Sequence, residues 1–232
     1  MNGIVVIPTY NERDNLAQLL EGLLRYPSLR VLIVDDQSPD GTGQLADQFS
    51  QQWPGRIEVL HRTGPRGFGR SLLAGLATAL QSNVDFVFQM DADLSHDPKY
   101  MSEMMAAASN ADLVIGSRYL NGVSVVNWPL RRIILSAFAN QYVRAVTRLS
   151  VRDCTSGFRC WRRDALARLP MHRLASEGYS LLVEMLYLAA RARCRIVESP
   201  IIFVERRQGV SKMSSRVMLE SALTPWRLLV RR

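Results

Sequence analysis

Short apolar runs alternate with stretches of helical spacing through the first half of this 232-residue chain, and that alternation narrows the fold more than any other feature. Residues 3–8 (GIVVIP) and 30–35 (RVLIVD) read as strands, and 56–60, 84–90 and 112–116 repeat the pattern. Between them, 12–25, a segment opening at Gly41, 70–81 and 98–108 read as helices, with Asn11 placed to cap the first. Strands apolar on both faces and separated by helices imply an α/β fold, a mostly parallel sheet wrapped by helices. Ligands of such sheets bind beyond the carboxyl ends of the strands, where the polar residues of this chain gather. The second half changes character. Residues 130–149 form a long helical pattern carrying Arg131, Arg132, Arg144 and Arg148. Residues 179–191 are another helix, 194–204 hold one or two strands, and 216–232 are an amphipathic segment interrupted by Pro225. With no repeat, low-complexity tract or linker, residues 1–232 read as one domain.

Apolar residues make up 47% of the chain and charged residues 22%, which excludes a disordered protein. The net charge is 29 − 21 = +8. A basic surface suits nucleic acid, an anionic membrane or phosphorylated small molecules, and charge alone does not choose among them. Cys154, Cys160 and Cys194 are odd in number and lack paired spacing, which argues against a disulfide framework or a zinc site and for a reducing cytosol. No basic segment precedes the first apolar run, and no run approaches the ~18 apolar residues that span a bilayer. A soluble or peripheral protein is therefore expected.

The sharpest local signal is Asp91-Ala92-Asp93, where a hydrophobic strand gives out. Two carboxylates buried unpaired are costly, and a divalent cation with hard oxygen ligands offsets that cost; a solvated strand-end turn is the alternative. The second strand ends in Asp35-Asp36, positioned to accept hydrogen bonds from a base or ribose, and Asp40 is placed to cap the next helix. Tyr10, after the first strand, can stack on a base, while Glu12 suits a helix N-terminus electrostatically. Residues 64–69 (GPRGFG) lack the ending of a P-loop and the spacing of a dinucleotide fingerprint, so a turn with some ligand contact is expected. His61, His96 and His172 form no dyad or triad.

In order along the chain, IPTYNE (7–12), VDDQSPDGT (34–42), MDADLSHDP (90–98) and IGSRY (115–119) resemble the family 2 glycosyltransferases of the GT-A fold. SPDGT, IGSRY, TSGFR (155–159) and the late Arg206 and Ser211-Lys212 narrow the resemblance to dolichol- or polyprenol-phosphate mannose synthases. It covers nearly the whole chain and implies a nucleotide-sugar-binding half over 1–119 and an acceptor-binding half over 120–232. By that resemblance Pro8, Tyr10, Glu12, Val34 and Asp36 hold the nucleoside of GDP-mannose. Asp91 and Asp93 coordinate Mg2+ or Mn2+, with Ala92 against the nucleotide. Arg118 meets the sugar phosphate, and Arg206 and Lys212 close over the diphosphate. Asp153 lies near the reaction centre as a positioner, and Arg131 or Arg132, with Arg132 favoured, takes the acceptor phosphate. Some relatives supply a glutamine as a further metal ligand where this chain has Ser95. Many carry C-terminal transmembrane helices, and none is expected within these 232 residues.

The implied reaction is metal-dependent, inverting transfer of mannose to a polyprenyl or dolichyl phosphate. That phosphate monoester has a second pKa of about 6 and needs no strong base to act as a nucleophile. The amphipathic segments at 130–149 and 216–232 suit helices lying at a membrane interface, or packed into the core or against another subunit. The expected setting is the cytoplasmic face of a membrane, peripherally bound, with a membrane-anchoring protein as a further partner and no nucleic acid. Two alternatives stand: glucose transfer from UDP-glucose to the same lipid, and a non-catalytic nucleotide- or RNA-binding module.

Overall fold

A computed structural model describes residues 1–174, 176, 178, 180–205 and 215–230. The first strands and helices follow the sequence pattern closely: β1 (Gly3–Thr9), α1 (Arg13–Leu24), β2 (Leu29–Asp35), α2 (Thr42–Gln52), β3 (Ile57–His61), α3 (Phe68–Leu80) and β4 (Phe86–Gln89). A 3-10 turn at Pro98–Tyr100 leads into α4 (Met101–Ala108), followed by β5 (Leu113–Ser117) and the short β6 (Val125–Val126). The remainder comprises α5 (Leu130–Thr147), β7 (Arg159–Arg162), α6 (Arg163–Ala167), α7 (Ser180–Arg191), β8 (Ile196–Pro200), β9 (Phe203–Val204) and α8 (Ser215–Val230).

Seven strands form one sheet in the order β3-β2-β1-β4-β7-β5-β8. All pair in parallel except β7, which lies antiparallel between β4 and β5. This strand is absent from the sequence reading, because Arg-Cys-Trp-Arg carries charge at both ends. Yet Arg159 is fully buried. Its guanidinium donates to the carbonyls of Ser156 (2.9 Å), Leu182 (2.8 Å) and Cys154 (3.2 Å), satisfying the cation inside the core. Burial pushes its pKa down to about 10, so it remains charged at neutrality. β6 and β9 pair in a separate two-stranded ladder.

Both faces of the sheet are covered. One carries α3 and α7 over Ile4, Val6, Leu32, Val34 and Trp161; the other carries α1 and α4 over Val5, Ile7, Ile33, Phe88 and Val114. Helix α3 comes so near that a Cβ at Gly75 would stand 2.4 Å from Val6 Cγ1 and 2.7 Å from Val34 Cγ2. Two expectations are corrected here. Asn11 is not the cap of α1 but sits at φ 58°, with Glu12 in the cap position making no side-chain cap bond. The first N–H groups are satisfied from the next loop instead: Glu12 N–H donates to Thr42 Oγ1 (2.9 Å) and Arg13 N–H to Asp40 (3.2 Å). Pro225 does not interrupt α8, which runs through it. Tyr142 OH, on α5, holds the Ala222 carbonyl of α8 at 2.6 Å.

Candidate active site

The carboxyl ends of β1, β2, β4 and β5 open on the same edge of the sheet, as their parallel pairing requires. At β2 the buried Asp36 pairs with the Arg62 guanidinium and accepts the Gly67 N–H at 2.8 Å. At β1 the half-buried Pro8 precedes Tyr10, whose hydroxyl bonds Arg66 and whose ring lies 4.9 Å below that guanidinium. The 64–69 loop thus bridges Asp36 and Tyr10 and is more than a turn. Glu12 accepts from Asn15 Nδ2 at 2.9 Å. Val34 does not fit its expected role through its side chain, which is fully buried against α3. Asp40 accepts from Thr42 N–H (3.0 Å) and Arg13 N–H, so its cap-like role spans two helices.

Beyond β4 the chain turns through Asp91, Ala92 and Asp93, with Leu94 at φ 63°. Asp93 is only 7% exposed, which corrects the picture of a solvated strand-end acid. Its Oδ1 accepts the Ser95 N–H (3.1 Å) and the Ser95 hydroxyl. Ser95 therefore braces the acid, and the position where relatives carry glutamine is engaged within the turn. Asp91 N–H donates to Nδ1 of His96 at 3.0 Å, which assigns the proton of the neutral ring to Nε2. The imidazole is buried, stacked on Phe158 (5.0 Å, 18°) and edge-on to Phe203 (5.6 Å). Burial pushes its pKa down to about 4, outweighing the opposing pull of Asp93. His96 went unassigned in the sequence because it forms no dyad; its place in the polar run after a strand was the available signal. A Cβ at Gly157 would lie 3.5 Å from both Asp91 oxygens, which puts the 155–159 motif beside this turn.

At the end of β5 the Arg118 N–H and Nε both donate to Asp153 Oδ2 (3.0 and 2.7 Å), and Nη2 reaches Asp153 Oδ1 and Thr155 Oγ1, each at 2.7 Å. Burial raises the Asp153 carboxyl, but the charge and hydrogen bonds of Arg118 hold it below its ordinary value. Burial likewise opposes the Arg118 cation, and Asp153 raises it. Asp153 N–H in turn donates to Glu198 at 2.9 Å. Asp153 is fully buried, so it acts on any ligand through Arg118.

Three aromatic rings surround that guanidinium: Tyr119 and Trp128 at 5.6 Å and Phe203 at 5.5 Å. Arg132 lies over the same Trp128 at 4.1 Å and ion-pairs with Glu205. Arg131, the other candidate, is exposed. Glu205 is missed by sequence reading, since it becomes informative only once β6 and β9 pair. Arg206 and Lys212 lie outside the described residues. Among the described residues, no cluster of three or more His, Cys, Asp or Glu forms a protein-only metal cage.

The sequence profile described as glycosyl transferase family 2 matches residues 4–169. The chain belongs to that family. It is 42% identical over 221 residues to the polyprenol monophosphomannose synthase of Mycolicibacterium smegmatis, covering 94% of this chain and 83% of the relative. It is also 42% identical over 235 residues to the undecaprenyl-phosphate mannosyltransferase of Micrococcus luteus, covering 100% and 96%. Among solved structures, glucosyl-3-phosphoglycerate synthase from Mycobacterium tuberculosis, in complex with Mn2+, UDP and glucosyl-3-phosphoglycerate, superposes with a TM-score of 0.71. That match covers 99% of this chain and 79% of the other at 17% identity, a likeness of fold. The family 2 chain is thus a glycosyltransferase, with the GT-A sheet and the Asp91-Ala92-Asp93 turn at its open edge.

Proposed function

We propose that this glycosyltransferase moves mannose from GDP-mannose to the phosphate of a polyprenyl lipid, with inversion at the sugar carbon. The names of the 42%-identical relatives support the sugar and the lipid class. The observation that carries the chemistry is that Arg118 and Arg132 both face Trp128, at 5.6 and 4.1 Å. Arg118 follows β5 at the open edge of the sheet and Arg132 stands in the first turn of α5, so two phosphate-seeking groups flank one indole. An acceptor phosphate oxygen forms the bond to the sugar carbon as the bond to the GDP oxygen breaks, and that oxygen leaves with the electron pair. The ionised monoester attacks directly, so no side chain must remove a proton. Arg118, oriented by Asp153, stabilises charge on the departing diphosphate.

Asp91 and Asp93 fit a divalent cation carried with the nucleotide. Mg2+ is commonly held by one or two carboxylates, substrate phosphates and water, so two acids suffice without a third protein ligand. When bound, the ion neutralises charge on the leaving diphosphate. Ser95 fixes one Asp93 oxygen, and His96 fixes the backbone of Asp91.

The lipid acceptor also gives meaning to α5 and α8. Leu130, Ile134, Leu135, Phe138, Trp226 and Leu229 are exposed on these helices beside Arg131 and Arg227. An apolar face bordered by cations suits an anionic bilayer surface. Among the described residues no helix is long and apolar enough to cross a membrane. The test is mass-spectrometric detection of glycosylated lipid from purified protein, polyprenyl phosphate and Mg2+, with GDP-mannose against UDP-glucose. A mannosyl phospholipid that disappears with EDTA is expected. A glucosyl product overturns the donor, and no product with either overturns the reaction.

A further inference from the structure

Arg132 is not idle in the absence of a lipid. Its Nη1 is taken by Oε1 of Glu205, a residue 73 positions away in sequence. The pair is partly open, the two side chains being 34% and 30% exposed. The indole of Trp128 lies under the guanidinium and fixes its plane. The backbone of Glu205 is fixed as well: its N–H donates to the Val126 carbonyl at 3.1 Å, continuing the β6–β9 ladder. Among the described residues the carboxylate, by contrast, is held by a single accessible cation, Arg132, that an incoming anion can take.

We propose that Glu205 is an internal stand-in for the acceptor phosphate, released from Arg132 by the lipid monoester and returning to it once the sugar has been transferred. The inference rests on the proposed function and concerns the charge change in that reaction. The acceptor monoester carries close to two negative charges near neutrality, with a second pKa of about 6. After transfer the same phosphorus is a diester with one negative charge. A carboxylate with one charge, tethered beside the guanidinium, competes poorly with the dianion and well with the monoanion. Glu205 therefore weakens both ligands by the same factor, and the diester, whose own hold is the weaker, is the one driven off Arg132. Among the described residues Arg118 has no such exchangeable partner, because its carboxylate, Asp153, is fully buried and bound through both oxygens.

The experiment compares wild type with E205Q and R132A, measuring the KM for polyprenyl phosphate and the inhibition constant of added glycosyl-phospholipid. In E205Q the product is expected to inhibit about three- to tenfold more tightly, with a comparable fall in KM, as suits removal of a partly exposed ionic competitor. In R132A both constants should weaken together. Binding of a soluble prenyl phosphate and of its methyl diester, followed by tryptophan fluorescence, separates affinity from turnover: E205Q should tighten both by a similar factor. An E205Q variant whose product inhibition and affinity for both soluble ligands match wild type overturns the inference. Wild-type protein that makes no glycosylated lipid overturns the functional reading instead, so the two failures are distinct.

Discussion

Helices α1 and α5 use the same residues to opposite ends. In α1, Leu16, Leu19, Leu20 and Leu23 are all 0% exposed, sealed against one face of the sheet. In α5, Leu130, Ile134 and Phe138 are 70%, 60% and 65% exposed, while Asn140, Val143 and Thr147 make up its buried side. Burying a large apolar side chain contributes about 1.5–3 kcal/mol, so α1 holds the fold together and the outer face of α5 does not. The open edge at β1, β2 and β4 is therefore built on a closed core. The outer face of α5 leaves apolar surface to be covered by something else, and the proposed lipid substrate suits it.

The largest effect that would break this contrast is at Asp93. Asp93→Asn keeps an acceptor for Ser95 while removing the charge, so transfer should fall on the order of 10³-fold with the melting temperature nearly unchanged. Turnover within a few-fold of wild type would remove Asp93 from the metal site. The alanine variant is a poorer test, because it also strands the buried Ser95 donors. Next is the buried pair behind Arg118. Asp153→Ala leaves that cation without its partner and should lower stability by about 3–5 kcal/mol in urea unfolding. A loss below 1 kcal/mol would mean that the pair is dispensable to the fold.

Acid separates two buried groups in the metal-free protein. The His96 pKa is depressed to about 4, so the unfolded chain takes up a proton before the folded one does. Stability is full above the unfolded value of about 6.5 and should decline by up to about 3 kcal/mol as pH falls from there to about 4. Asp153, also depressed, loses its contribution only as pH falls below the ordinary carboxylate range toward its lowered folded value. His96→Asn, which can still accept from Asp91 N–H, should lack the first decline and keep the second. A wild-type stability flat between pH 6.5 and 4.5 would contradict the burial of a neutral ring.

The smallest effect sharpens the contrast between the two helices directly. Phe138→Asp should change folding stability by no more than about 0.5 kcal/mol, as at other exposed positions. Flotation with anionic vesicles should fall at the same time. Leu20→Asp on α1 should instead prevent folding. Unaltered vesicle binding in Phe138→Asp would turn attention from this face to α8.

Local pattern carried much of this. The strands β1 to β5, the helices between them and the paired acids after β4 are legible in the chain, because each depends on neighbours within a few residues. Asp36 and Tyr10 are legible as polar residues at strand ends, and Arg118 through the IGSRY motif that resembles the family. Other features lie beyond local reading. β7 carries a buried arginine whose acceptors come from residues 154, 156 and 182, so its polarity misleads. Val34 points into the core beneath Gly75 although it stands beside the strand-end acids. Asp153 meets Arg118 across 35 residues and Glu205 meets Arg132 across 73. The sequence by itself determined the succession of strands and helices from β1 to β5 and the identity of the acids at the open edge, since period and turn chemistry act at short range. Only the tertiary structure decided which charges are spent on one another and which face outward, because that depends on long-range pairing and burial.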